Sequence, residues 1–149
     1  MIYTSSYRYY VPQDSSINFY SISGDRGQKV GYTGPCFSQL APRLSFWKVW
    51  QDNIGKIPEH ENNEYYIREY CAQTLSQLNP LDIYRQLNSS QTILLCYENY
   101  NQFCHRHIVA AWLELKIDNV MVPEVIYTNN RISVVNRPNW VKGFLSKIL

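Results

Sequence analysis

The sequence predicts a three-layer α/β fold in which helices pack against a mainly parallel sheet of about four to five strands. Short apolar runs that suit buried strands alternate with stretches whose apolar residues recur at helical spacing. One stretch, 92–115, joins a buried strand to an amphipathic helix through a short polar turn, which is half of a βαβ unit. At 149 residues and 45% hydrophobic, the chain suits a single domain, residues 1–149, with its own core.

In the first half of the chain, two predicted strands precede three predicted helices. Ile2–Tyr7 and Ile17–Ile22 carry mixed or alternating apolar residues, as half-buried strands do. Leu44–Ile54 and Asn63–Leu78 place apolar residues on one side at helical spacing. Residues 79–87 begin with Asn-Pro, which suits the N-cap and first turn of a short third helix.

The second half supplies the remaining elements. Ile93–Tyr97 is expected to be a central strand, because it is apolar on both faces. An amphipathic helix follows and runs through Leu115. Pro123–Tyr127 is a further predicted strand, and the Asn-Asn turn after it lets Ile132–Val135 pair back in the antiparallel sense. The spacing of apolar residues in Pro138–Leu149 predicts a terminal helix.

Composition argues against several classes of protein. A net charge of +2 gives no strong field toward nucleic acid or an anionic membrane. No apolar run approaches the roughly 20 residues that span a bilayer, and the N-terminus lacks the apolar core of a signal peptide. We therefore expect a cytoplasmic protein without a membrane partner, whose four cysteines are thiols rather than disulfides.

Cys104, His105 and Arg106 lie where the polar turn after the central strand enters its helix. Ligands of open α/β sheets bind at this end of the strands, beside helix N-termini that favour anions. Cys104 is predicted to be either a reactive thiolate or a small apolar residue that packs the junction. His105 and Arg106 are predicted to bind a phosphate or carboxylate. Alternatively, Arg106 pairs with Glu98 and closes the turn, and both roles are compatible.

Glu98 follows the central strand directly. Its carboxylate suits a general base or a partner for a ribose hydroxyl, and it equally suits holding Arg106 in place. Glu98 and Cys104 are the two predicted catalytic groups.

A second polar cluster follows the second predicted strand. Ser21, Ser23 and Arg26 suit a phosphate and Asp25 suits a hydroxyl, whereas a solvated turn is the alternative. If the sheet is parallel, this cluster shares an edge with the first site. Tyr32, in a loop with glycines and a proline, could lie over a ligand as part of a lid or cap the core.

The spacing of potential ligands predicts no metal site. Zinc sites commonly use cysteine pairs with two to four residues between them, whereas Cys96 and Cys104 are farther apart and Cys96 lies in an apolar run. The spacings of a dinucleotide-binding fingerprint and of a P-loop are missing as well. We expect neither a metal nor a cofactor.

The strand ending in Leu-Leu-Cys-Tyr-Glu, followed by a short loop, Cys-His-Arg and an apolar helix, resembles the signature of the domain-of-unknown-function family 488. Gly31–Phe37 with the following Leu-Ala-Pro, and the segments Tyr65–Tyr70 and Leu78–Tyr84, resemble its short-chain members. The resemblance covers roughly residues 1–126. It implies a compact Rossmann-like fold and no established reaction. It also favours a site role for the serine and basic residue of the second cluster.

The predicted function is recognition of a small phosphorylated ligand, such as a nucleotide or a nucleotide-derived metabolite. Two classes remain open. As an enzyme, the protein is a hydrolase or transferase with Cys104 or Glu98 as the reactive group; as a binding module, it sequesters the ligand without turnover. A third reading is association with nucleic acid through the tyrosines of 7–10, and the low net charge argues against it.

Overall fold

The computed structural model describes residues 1–12 and 14–149. The strands of its sheet are β1 (Ile2–Ser6), β2 (Asn18–Ser21), β3 (Thr92–Cys96), β4 (Glu124–Thr128) and β5 (Arg131–Val135). The α-helices are α1 (Leu44–Asn53), α2 (Glu59–Gln73), α3 (Pro80–Leu87), α4 (His105–Lys116) and α5 (Trp140–Ile148). Within the described residues, no helix is both long and apolar enough to cross a membrane.

The sheet has the order β2-β3-β1-β4-β5. All its neighbouring strands are parallel except β4 and β5, which form an antiparallel pair. The predicted mainly parallel α/β fold is therefore confirmed. The strand expected inside the sheet, β3, lies between β2 and β1, and each of its residues is buried. Asn129 and Asn130 turn the last hairpin with φ values of 51° and 60°, as the sequence indicated.

Two buried clusters cover the two faces of the sheet and give the fold its three layers. The helices supply one cluster, with Phe46 of α1, Ile67 of α2 and Val109 of α4 packed against Leu94 of β3. Strand and loop residues supply the other cluster, which is rich in tyrosine. Alternate residues of β3 point to opposite clusters, because side chains of a strand alternate between its faces.

The longest helix differs in its limits from the predicted Asn63–Leu78. Helix α2 begins at Glu59, directly after Pro58, and its first turn holds Glu59 and Glu61, whose charges suit the positive end of the helix dipole. It ends before Thr74, and a 3₁₀ turn continues the chain. The apolar periodicity continues through that turn, which explains why the predicted helix extends too far.

A buried ion pair joins the start of α4 to the sheet. Arg106 and Glu124 are both fully or almost fully buried, and the guanidinium donates from Nε at 3.1 Å and from Nη2 at 2.9 Å to the carboxylate of β4. Thr4 of β1 donates to the same carboxylate at 2.6 Å. Nη2 also donates to the carbonyl of Glu98, at 2.8 Å. These bonds fix α4 and the loop before it relative to two strands.

Glu124→Gln should lower the free energy of unfolding by about 3–5 kcal/mol, because it leaves the buried Arg106 without a countercharge. The matched control is Glu61→Gln, which removes an exposed carboxylate from α2 and should cost less than about 1 kcal/mol. Guanidinium chloride unfolding of the three proteins gives the comparison. Equal stabilities of the two variants would show that the ion pair contributes little.

Candidate functional site

The carboxyl ends of β2 and β3 open onto a cleft of about 620 Å³. Because the two strands are adjacent and parallel, the loops that follow them leave the same edge of the sheet. The loop after β2 brings Ser23, Asp25 and Lys29 to the cleft, and the loop after β3 brings Glu98 and Cys104. Residues from both polar clusters singled out in the sequence therefore line one cavity.

Cys104 is the N-cap residue of α4, and His105 is its first residue. The Cys104 sulfur makes no capping hydrogen bond. His105 Nε2 lies 2.7 Å from the carbonyl oxygen of Ile22. A carbonyl only accepts, so Nε2 carries a proton, and Nδ1 faces the sulfurs of Cys96 at 3.6 Å and Cys104 at 4.0 Å. The backbone thus orients His105 for proton exchange with both thiols.

The charge of the site is concentrated on one sulfur. Burial opposes the thiolate form of Cys104, but a hydrogen bond from the Cys96 thiol favours it. Arg106 and His105 favour it as well, so the pKa of Cys104 lies well below its usual range. Burial, the hydrogen bond to Cys104 and the charge of its sulfur raise the pKa of Cys96 well above its usual range.

Glu98 is a proton donor at neutral pH. Burial, followed by the negative charge of Cys104, raises the pKa of the Glu98 carboxyl to about 8. A Glu98 carboxyl oxygen lies 3.9 Å from the sulfur of Cys96, the neighbour of Cys104 in the cleft. A thiolate and a protonated carboxylic acid therefore lie side by side in the cleft lining.

Hydrogen bonds fix the polar loop after β2. Ser23 Oγ donates its hydrogen to Asp25 at 3.0 Å. The Tyr7 hydroxyl, 2.5 Å from both serine oxygens, therefore donates to Ser23 and accepts from Ser21. The Tyr97 hydroxyl donates to Asp25. Burial would raise the pKa of Asp25, but these donors lower it below its usual range, so a carboxylate faces the cleft.

Aromatic side chains form the remaining wall. Trp47 and Trp50 of α1, Tyr66 of α2 and Phe103 line the cleft. The rings of Trp50 and Tyr66 meet at 5.3 Å in an edge-to-face contact, and Trp50 Nε1 donates to Asn63 at 3.0 Å. These contacts hold the wall in place, so a flat ligand ring meets a preformed surface.

Arg106 is fully buried and does not line the cleft. Its position therefore argues against direct binding of a ligand anion. The alternative that it closes the turn agrees with its hydrogen bond to the Glu98 carbonyl, but its carboxylate partner is Glu124 rather than Glu98. Its charge still acts on the site, because it lowers the pKa of Cys104.

Three more predicted ligand-binding residues lie outside the cleft lining. Ser21 is buried beneath it and bonds to Tyr7. Tyr32 is a core residue that donates to the carbonyl of Pro35 at 2.7 Å, so it caps the core instead of covering a ligand. Arg26 is exposed in the left-handed backbone region, with φ of 59°. The sequence shows the polar character of this loop but not which side chains turn inward.

A protein-family model described as the active DUF488-N3 subclade matches residues 24–117, which is more than half of the chain. The chain belongs to domain-of-unknown-function family 488. The resemblance of the Cys-His-Arg stretch is thereby confirmed. The matched segment of this DUF488 protein contains both loops that form the cleft. No curated protein and no solved structure matches the chain.

Sequence reasoning missed several residues that line the cleft of the DUF488 protein. They are Lys29, Trp47, Trp50, Tyr66, Cys96, Tyr97 and Phe103. One signal was available for Cys96, because the last residue of a parallel strand lies at the ligand-binding edge. The three-residue spacing of the two tryptophans was another, since it places both on one side of a helix.

Three potential metal ligands meet in the folded DUF488 protein. The sulfurs of Cys96 and Cys104 and a ring nitrogen of His105 lie within 4.8 Å of one another. A closed zinc site needs a fourth ligand, and the nearby Glu98 is a poor one while it is protonated. The absence of a metal stays a prediction.

Elemental analysis of DUF488 protein purified without chelator should therefore detect no stoichiometric zinc, because the cluster does not close a four-ligand site and Cys96 and Glu98 are held in protonated forms that bind zinc poorly. Cys71→Ser, which removes a cysteine outside the cluster, serves as the control variant. A one-to-one zinc signal that Cys104→Ser abolishes and Cys71→Ser preserves would contradict the prediction.

Cys104 should react with iodoacetamide faster than the other cysteines at and below neutral pH, because it is the thiol with the lowered pKa. Cys71 is the internal control, since burial raises its pKa to about 11. His105→Gln should move the midpoint of the Cys104 pH–rate profile upward. Mass spectrometry of tryptic peptides measures each rate, and equal rates at all cysteines of the folded protein would remove the reactive thiol.

The Glu98 carboxyl should make stability depend on pH. Its pKa rises from 4.5 to about 8 on folding, so the unfolded chain loses this proton first. The stabilisation of the folded state by this protonated carboxyl is complete below pH 4.5 and is lost as the pH rises to about 8. Relative to Glu98→Gln, the free energy of unfolding of the wild-type protein should fall by on the order of a few kcal/mol over this pH window. Urea unfolding of both proteins at several pH values measures the difference. Parallel plots of the free energy of unfolding against pH would show that the Glu98 pKa is not raised.

Proposed function

We propose that this DUF488 protein binds a small phosphorylated, nucleotide-like molecule in the cleft and transfers or hydrolyses a group on it. The observation that carries the proposal is that Cys104, whose pKa is lowered, and Glu98, whose pKa is raised, line the same preformed cleft. His105, held by a backbone carbonyl, faces the same sulfur. An oriented nucleophile beside a proton donor is the arrangement that covalent group transfer needs.

The chemistry follows from these groups. The Cys104 sulfur forms a bond to an electrophilic carbon or phosphorus, the bond to the leaving group breaks, and Glu98 gives its proton to the leaving group. The Glu98 carboxylate then takes a proton from water or an alcohol, whose oxygen attacks the adduct and frees the sulfur. Water makes the reaction a hydrolysis and an alcohol makes it a transfer.

The cleft has a size and lining that suit a nucleotide. Its volume of about 620 Å³ falls within the roughly 300–1,000 Å³ of small-molecule sites. Trp47 and Trp50 offer flat surfaces for a base, and Asp25 accepts from ribose hydroxyls. The Lys29 ammonium, exposed at the cleft, suits the phosphate, together with the free amides at the start of α4.

Lys29→Ala should weaken binding of nucleoside monophosphates by roughly tenfold or more, because it removes a charge-assisted bond of about 1.5–3 kcal/mol. Lys48→Ala is the matched control, since Lys48 is exposed on α1 and does not line the cleft. Titration calorimetry with nucleoside monophosphates and with inorganic phosphate gives the affinities. Identical affinities for the two variants would rule out Lys29 as the phosphate ligand.

Catalysis is tested separately from binding. The wild-type protein and Glu98→Gln are incubated with a panel of nucleoside phosphates and nucleotide conjugates, and intact-protein mass spectrometry follows covalent adducts. With substrates whose leaving group departs without a proton, Glu98→Gln should accumulate an adduct on Cys104, because it lacks the base that the second step needs. Cys104→Ser should form none, and Cys71→Ser should behave as wild type. Binding without adduct or product would instead identify a sequestering module.

A further inference from the structure

The catalytic proposal leaves one thiol of the cleft without a role. Cys96 is the last residue of β3 and Cys104 the N-cap of α4. The loop between them folds back, so the two sulfurs lie within 4.8 Å of each other and of the His105 ring nitrogen. Cys36 and Cys71, by contrast, are half-buried and lie outside this group.

The two sulfurs differ in chemical state. The pKa of Cys104 lies below its usual range and that of Cys96 above it, so a thiolate and a protonated thiol lie within 4.8 Å of each other. Both residues are only 4% exposed, and both line the cleft. A small oxidant therefore reaches them through the cleft, and it meets the thiolate, which is the more reactive form of a thiol.

We propose that Cys104 and Cys96 form a dithiol redox centre in which Cys104 is oxidised by a peroxide and Cys96 resolves the product as an intramolecular disulfide. The Cys104 thiolate attacks one peroxide oxygen, the O–O bond breaks, and a proton converts the departing oxygen to water, or to an alcohol from an organic peroxide. Cys104 becomes a sulfenic acid. The Cys96 sulfur then attacks the Cys104 sulfur, the S–O bond breaks, and water leaves. Two thiols and hydrogen peroxide give one disulfide and two waters.

The geometry suits the second step. His105 Nδ1 lies 3.6 Å from the Cys96 sulfur, where it can take the thiol proton as the disulfide forms. The sulfurs must approach from within 4.8 Å to about 2.05 Å, and rotation about the side-chain bonds of the two cysteines is the movement that brings them together. The proposal rests on the nucleophilic Cys104 of the proposed function but requires no nucleotide.

The test exposes the full-length protein to one equivalent of hydrogen peroxide and maps the disulfides by peptide mass spectrometry without reductant. The expected product is a Cys96–Cys104 crosslink that dithiothreitol reverses. Cys96→Ser should stop at the sulfenic acid of Cys104, which dimedone traps, and the dimedone adduct should rise at least severalfold over wild type. Cys71→Ser and Cys36→Ser should form the crosslink as wild type does.

A crosslink to Cys36 or Cys71, or two free thiols after treatment with excess peroxide, would overturn the redox centre. So would equal dimedone trapping in wild type and Cys96→Ser, because Cys96 would then not resolve the sulfenic acid. The two proposals fail separately. Loss of nucleotide adducts in Glu98→Gln with an intact crosslink rejects the catalytic role, whereas adducts without a crosslink reject the redox centre.

Discussion

The buried pair of Arg106 and Glu124 is the interaction on which the site depends. It ties the first turn of α4 to β4, while Thr4 of β1 and the carbonyl of Glu98 add one hydrogen bond each to the two charged groups. A buried guanidinium is stable only when it is paired in this way. The pair thus fixes the start of α4, where Cys104 lies, and adds a positive charge near an almost fully buried sulfur of the cleft lining.

The two faces of the sheet serve different purposes. The helical face buries aliphatic and aromatic side chains and supplies the aromatic wall of the cleft. The other face is built largely of tyrosines, whose rings fill the core while their hydroxyls satisfy polar groups. Tyr7 shows the combination, because its ring packs against Tyr97 and its hydroxyl bridges Ser21 and Ser23. The abundance of tyrosine therefore serves core packing and the support of a polar loop.

Cys96, Cys104 and Glu98 together carry one negative charge. Burial disfavours the charged form of each group. The negative charge resides on Cys104, because Cys96, Arg106 and His105 all favour its thiolate form. That charge then keeps Cys96 and Glu98 protonated. The same electrostatics supports a nucleophile with an acid beside it and a thiolate with a resolving thiol beside it, so nucleotide and peroxide chemistry compete for one sulfur.

The sequence by itself determined the α/β class, the order of strands and helices, and the edge of the sheet at which the site lies. It could do so because apolar periodicity and polar strand ends are local features. It also indicated Cys104 and Glu98, which flank the loop after β3. Only the tertiary structure decided that Arg106 turns away from the cleft, since its partner Glu124 lies on a distant strand. It likewise decided that Tyr32 packs inward and that Cys96 meets Cys104, because the direction of a loop side chain depends on contacts far apart in sequence.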